Sequence, residues 1–245
     1  MNELLSHRIK LFNEYYLAYK NPDNNSGIYA GITPWQFWGL IVRNYLFDEL
    51  KVIKDGFAGK RVLIVCAGMS FEAMQFIEGG AQVVCADIVN PPLTDDVRKN
   101  VTYCLCDVNN LCFAENSFDI VYNQFSLSLT DKEPHMQQVY KILKPGGYFI
   151  SVEPMLNTPY YYFLRFTDPE NVTDYPDWEE FRKIGSGFDE IVTLEGYFVL
   201  LPIFYLFRYL GFSNAIKKLL YFEKKVLPKY FEKFAMLGGV VFKKT

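Results

Sequence analysis

Asp87 stands 19 residues beyond Gly68 at the end of an apolar run, and a second aspartate, Asp107, closes the next such run. A carboxylate at that distance from a glycine turn suits the two hydroxyls of a ribose. The turn itself, Ala67-Gly68-Met69-Ser70, is short and made mostly of small residues. At the start of a helix the backbone N–H groups are free, the helix dipole favours negative charge, and small side chains let a ligand approach the main chain. The chemistry indicated is nucleoside binding. The same residues also suit plain architecture, because any α/β sheet needs tight strand–helix turns, and an Asp at a strand end often only caps a turn.

Positioning these groups takes a βαβ unit, and the flanking residues supply one. Arg61–Cys66 is apolar without polar alternation, as in a strand buried on both faces. Phe71–Glu78 places Ala73, Phe76 and Ile77 on one helical face, and after Gly79-Gly80 the chain returns as strand Gln82–Ala86. Further strands are read at Val101–Cys106, Phe118–Gln124 and Tyr148–Glu153, with a short helix within 94–99 and a longer one over Asp131–Leu143. Pro145-Gly146-Gly147 reads as the turn into the fifth strand. Upstream, Asn2–Lys20 and Trp35–Val52 have helical spacing, the second behind a Thr33-Pro34 start. Strands alternating with helices predict a doubly wound parallel sheet that takes ligands at the carboxyl ends of its strands. Asp87, Asp107 and the Asn123-Gln124 pair all fall on that edge.

Composition narrows the class. The 245 residues suit one α/β domain with embellishments. With 22 Phe and 18 Tyr the chain is rich in aromatics, enough to line a pocket or a membrane-facing surface beyond filling a core. The five cysteines, Cys66, Cys85, Cys104, Cys106 and Cys112, are odd in number and lie mostly in strands, so they read as reduced core residues of a cytoplasmic protein. With only His7 and His135 besides, no metal cluster is read. The first ten residues lack the apolar core of a signal peptide, and no apolar run reaches the roughly 18 residues of a membrane span. The net charge of −3 conceals a balance of +7 over residues 196–245 and −10 over 1–195. A basic, aromatic segment suits an anionic surface or substrate, and equally a solvated lysine face on packed helices.

The series VLIVCAGMSFEA, VVCAD, CDVNNLCFAENSFDIVYNQ and LKPGGYFISVEP resembles the class I S-adenosylmethionine-dependent methyltransferases, in particular their small-molecule, type 11-like branch. The likeness covers about residues 60–153; Trp178–Leu194 is similar to that family's fifth helix and sixth strand, and Gly239–Lys244 to its last, antiparallel strand. It implies an α/β, seven-stranded, mostly parallel Rossmann-like sheet in a single domain. That domain would comprise an N-terminal helical lid (1–56), a cofactor-binding core (60–153) and a substrate or cap region (154–245). The cap region would hold a helical insertion at 196–234 and the last strand at 239–244.

The implied cofactor is S-adenosylmethionine. By the resemblance, Cys66, Ala67, Gly68, Met69 and Ser70 run along its methionine part. Asp87 takes the ribose hydroxyls, with Ile88 stacking on adenine. Asp107 accepts from the adenine amino group, with Val108 beside it, and Asn123 and Gln124 floor the methyl group. The pattern departs from the family's in that Ile64 replaces an acid while Cys66 and Ser70 replace glycines. The alternative is therefore a relative that binds nucleoside or a partner without catalysis. An alcohol acceptor needs a general base; His135 and Glu153 are the candidates, His135 reading as a surface residue and Glu153 as suited to a structural role. The implied acceptor is a small molecule, apolar or lipid-linked, with 196–234 as a cap or a peripheral membrane contact. The missing glycines and LKPGG argue against a nicotinamide-dependent oxidoreductase. The lack of an (N/D)PP(Y/F) motif after the fourth strand argues against a nucleic-acid substrate.

Overall fold

The computed structural model describes residues 56–68, 70, 72–91, 93, 95–156, 158, 161–162, 175–197, 235 and 237–245. The N-terminal helices read over 1–52, and all but the first two residues of the 196–234 insertion, lie outside the described residues.

The described strands are β1 (Arg61–Val65), β2 (Gln82–Asp87), β3 (Thr102–Leu105), β4 (Phe118–Gln124), β5 (Leu143–Pro154), β6 (Glu190–Tyr197) and β7 (Leu237–Lys243). Between them run the helices α1 (Ala73–Glu78), α2 (Asp95–Asn100), α3 (Lys132–Ile142) and α4 (Trp178–Ile184). They form one seven-stranded sheet in the order β3-β2-β1-β4-β5-β7-β6. The first five strands are mutually parallel, and β7 lies antiparallel between β5 and β6.

The unbroken apolar run of β1 has its reason in burial on both faces: Val62, Leu63, Ile64 and Val65 are all sealed from solvent. On one face Phe76 of α1 packs with Val62, Ile64, Ile120 and Tyr122, and its ring meets Tyr122 edge-on at 5.4 Å. On the other, Met136, Val139 and Ile142 of α3 and Phe181 of α4 cover Leu63, Val65, Val121 and Phe149. Burying such a side chain contributes about 1.5–3 kcal/mol, so helices held on both faces make the doubly wound architecture self-supporting.

The amino edge of the sheet is closed by hydrogen bonds. Asp119 Oδ2 accepts from the Arg61 backbone N–H at 2.9 Å and from Lys144 Nζ at 2.8 Å, tying β1, β4 and β5 together. Lys244, just past β7, donates from Nζ to the carbonyls of Tyr140 (2.8 Å) and Leu143 (2.7 Å) and to Asn116 Oδ1 (3.0 Å). A cation on the last carbonyls of α3 satisfies groups the helix leaves unpaired and suits its dipole. Phe188 and Phe242 stack at 5.4 Å, and a Cβ on Gly185 would sit 2.0 Å from Phe242 Cε1, so this corner admits glycine alone.

Three expectations change. Leu143–Tyr148 is not a helix end and a turn: β5 already starts at Leu143, because Gly146 N–H donates to Lys244 O and Lys244 N–H to Gly147 O, extending the sheet through the glycines. His135 is not on the surface but wholly buried, since it shares the inward face of α3 with Met136, Val139 and Ile142. Cys112 is exposed rather than in the core, lying in the loop between β3 and β4.

Candidate functional site

The turn after β1 takes the shape a glycine-rich turn would take, although two of its glycines are absent. Cys66, Gly68 and Ser70 all have left-handed φ values, 49°, 48° and 54°. For Cys and Ser this conformation costs about 1–2 kcal/mol each, so other contacts must hold it. Gly68 N–H donates to Asp87 Oδ2 at 2.8 Å, the Tyr103 hydroxyl donates to Gly68 O at 3.2 Å, and Ala67 N–H donates to Ala86 O at 3.1 Å. The Ser70 hydroxyl folds back on Ala67 O at 3.3 Å. Asp87 on β2 thus does the ordering that an acid at position 64 would do, where the buried Ile64 has no polar atom to offer.

Asp87 is itself nearly buried, and its Oδ1 accepts from Val89 N–H at 3.2 Å. Burial pushes its carboxyl above the ordinary range, against the pull of the Gly68, Val89 and Ile88 N–H groups. Each of its oxygens retains a lone pair for a hydroxyl donor. Asp107 lies one strand further out, with Oδ1 accepting from Asn109 N–H at 2.9 Å, and Cys106 N–H donates to Asp87 O, so the two aspartates hang on adjoining strand tips. Ile88 is half-buried and Val108 buried beside them. Met69 lies outside the described residues.

The middle of the edge has a different character. Asn123 on β4 and Ser151 on β5 are register neighbours, and Val65 on β1 flanks Asn123. Among the described residues, Asn123 Oδ1 and Nδ2, Ser151 Oγ, Ser126 Oγ and Glu153 Oε2 are all buried without a hydrogen-bond partner. Leaving such a group unpaired costs about 1–3 kcal/mol, so in native proteins it is met by a ligand or an ordered water. Glu153 is half-engaged: Oε1 accepts from the N–H groups of Ser126 (3.0 Å) and Leu127 (2.9 Å), fixing the turn that follows β4. Burial pushes its carboxyl up to about 8, although those two N–H groups and the Lys132 charge oppose the rise. Gln124 is turned away from Asn123 to the other face, its Oε1 held by the Tyr122 hydroxyl at 2.7 Å.

His135 Nδ1 lies 3.3 Å from Val108 O, while Nε2 is buried and has no partner among the described residues. Burial brings the imidazole down to about 4 against the Val108 carbonyl and the Asp107 charge, so it is neutral near pH 7. Sequence reasoning did not single out Tyr103 or Ser151. The signal for Ser151 was a lone hydroxyl between Ile150 and Val152, while Tyr103 reaches Gly68 only through the β2–β3 pairing.

A sheet of this order, with a left-handed turn after its first strand and an aspartate on each of the next two strand tips, has the Rossmann-like methyltransferase fold. Residues 64–151 match the family described as a methyltransferase domain. Among curated proteins, the ubiquinone/menaquinone biosynthesis C-methyltransferase UbiE of Haemophilus ducreyi is 33% identical over 107 residues, 39% of this chain and 41% of that protein. Phosphoethanolamine N-methyltransferase 1 of Triticum aestivum is 31% identical over 111 residues, 41% of this chain and 22% of that protein. The chain therefore spans less than half the length of these curated relatives. Among solved structures, phosphoethanolamine N-methyltransferase 2 of Haemonchus contortus in complex with S-adenosyl-L-methionine shares the fold with a TM-score of 0.57 at 20% identity. That likeness covers 86% of this chain and 57% of that one. No helix among the described residues is long and apolar enough to cross a membrane.

Proposed function

We propose that the protein transfers a methyl group from S-adenosylmethionine to a small, apolar or lipid-linked acceptor, at a carbon or nitrogen nucleophile. The observation that carries this reading is the row of unpartnered buried polar atoms on Asn123, Ser126, Ser151 and Glu153 beside a turn already held in the left-handed shape. These groups fit the cofactor: a carboxylate tip for a ribose, a second for a base, and unsatisfied donors and acceptors for a charged amino-acid end. Asp87 would hold the ribose hydroxyls, Asp107 and Val108 the adenine, and Gly68, Ser70 and Asn123 the methionine end. Bound there, S-adenosylmethionine supplies an electrophilic methyl group on a sulfonium, and the protein's part is to align the nucleophile in line with it.

The acceptor class follows from the bases. Glu153, pushed up to about 8, keeps its own proton at neutral pH, and His135 is neutral but sealed in the core. Neither is placed to take a proton from an alcohol, so the reading favours an acceptor whose carbon or nitrogen attacks without a strong base. The names of the two curated relatives, one a C-methyltransferase and one an N-methyltransferase, agree with that choice. The apolar or lipid-linked character is loosely supported by the quinone pathway in the first name.

A second reading, binding without turnover, is favoured by one observation: buried, apolar Ile64 leaves the turn without its acid. Calorimetric titration with S-adenosylmethionine, S-adenosylhomocysteine and NAD separates the readings. Binding of the first two but not NAD, with methyl transfer to a quinol or amine acceptor, supports the proposal. Binding of the product without transfer to any acceptor selects the second reading, and binding of NAD alone rejects both.

A further inference from the structure

Away from the unpartnered polar atoms, three thiols gather at the outer edge of the sheet. Cys104 lies on the edge strand β3, and Cys112 lies in the exposed loop that follows it. Their Sγ atoms are 3.8 Å apart, in van der Waals contact; Cys112 is exposed and Cys104 half-buried. Cys106 sits between them in sequence but in a different role. It is buried, and its Sγ accepts from Cys112 N–H at 3.4 Å, which holds the Cys112 backbone against the strand. The intervening segment is closed by two further bonds, Asn109 N–H to Asp107 Oδ1 at 2.9 Å and Asn110 N–H to Asp107 O at 2.9 Å. The ends of this loop are thus already brought together before any covalent bond exists.

We propose that Cys104 and Cys112 are a modification site, forming a reversible disulfide when the protein meets a peroxide. A disulfide requires the sulfurs to close to about 2.05 Å, an approach of roughly 1.8 Å that rotation of the exposed Cys112 side chain supplies. Cys112, the most exposed thiol, attacks a peroxide oxygen as its thiolate; the O–O bond breaks, leaving a sulfenic acid and hydroxide. Cys104 then attacks the sulfenic sulfur, the S–O bond breaks and water leaves. In sum, two thiols and one hydrogen peroxide give one disulfide and two waters. A dithiol reductant reverses the bond by exchange. Cys106 is a poor competitor, because burial pushes its thiol up to about 11. The cross-link would lock Asp107 and Val108 inside a closed ring; only that consequence rests on the proposed cofactor site.

The test uses the full chain, treated under native conditions with hydrogen peroxide, then alkylated, digested and analysed by mass spectrometry. The tryptic peptide spanning 100–132 holds all three thiols. The expected product is lighter by two hydrogens, carries one alkyl group on Cys106, and returns to three alkylated cysteines after dithiothreitol. Cys104→Ser and Cys112→Ser each abolish it, and Cys106→Ser retains it. A bond that includes Cys106, a sulfinate on Cys112 with Cys104 still alkylated, or no oxidation at all overturns the proposal. Because this readout involves no cofactor, its failure is distinct from failure of the methyltransferase reading.

Discussion

The two edges of the sheet are built to opposite rules. At the amino edge every polar group named above has its partner: Asp119 serves β1 and β5 together, and one ammonium, Lys244, closes two carbonyls of α3 and β5 and an amide. At the carboxyl edge, Asn123, Ser126, Ser151 and Glu153 bury polar atoms that nothing in the described protein satisfies, and Cys66 and Ser70 hold a strained backbone. The first edge is consistent with stability alone. The second carries a deficit among the described residues that a ligand or ordered water would remove, as suits a ligand-binding edge.

Substitutions at each edge sharpen this contrast, and the largest effect is expected at the amino edge. Lys244→Met strips the donors from Tyr140 O and Leu143 O, and should lower unfolding free energy by about 3 kcal/mol in urea titration without changing S-adenosylhomocysteine affinity. Glu153→Ala comes next, at about 2 kcal/mol, because the Ser126 and Leu127 N–H groups lose their acceptor.

Glu153→Gln keeps an acceptor and removes the titration. In the native protein Glu153 holds its proton up to about 8, whereas the unfolded acid releases it near 4.5, so rising pH favours unfolding across that window. Stability should fall by about 1.4 kcal/mol per pH unit. His135 acts oppositely between about 4 and 6.5, where the unfolded chain takes up the proton that the buried ring refuses. Asp87, also raised by burial, adds to the fall above its unfolded value. The net decline is therefore expected between pH 6.5 and 8, and urea titrations across that range should find it flattened in Glu153→Gln.

At the carboxyl edge the sign reverses. Asn123→Leu removes two unpaired buried atoms and should raise unfolding free energy by about 1 kcal/mol, at the cost of ligand binding. Smallest is Cys66→Gly, where relief of left-handed strain, about 1–2 kcal/mol, is mostly cancelled by the greater freedom of glycine in the unfolded chain, about 0.5–1 kcal/mol. A thermal melt should show a rise of a degree or two at most.

Much of the fold was legible because continuous apolar runs such as VLIV and VVCA admit only a strand buried on both faces. The start of β5 was not, since Pro145-Gly146-Gly147 is recruited into the sheet by Lys244, about 100 residues away in sequence. His135 was misread although its signal was present: spaced four and seven residues before Val139 and Ile142, it shares their helical phase, and the neighbouring Pro134 obscured it. In the site, the aspartate tips could be read from spacing, and the structure places both at the carboxyl edge. The hold of Asp87 on Gly68, which stands in for the missing acid at position 64, depends on strand pairing between β1 and β2 and leaves no local trace.

The most direct test is a thermal melt of the wild type and Asn123→Leu, each with and without S-adenosylhomocysteine. A polar deficit kept for a ligand predicts that the variant melts higher than wild type when alone, and that only the wild type gains stability from the ligand. A variant that melts lower alone, yet gains as much from the ligand as the wild type does, would contradict it.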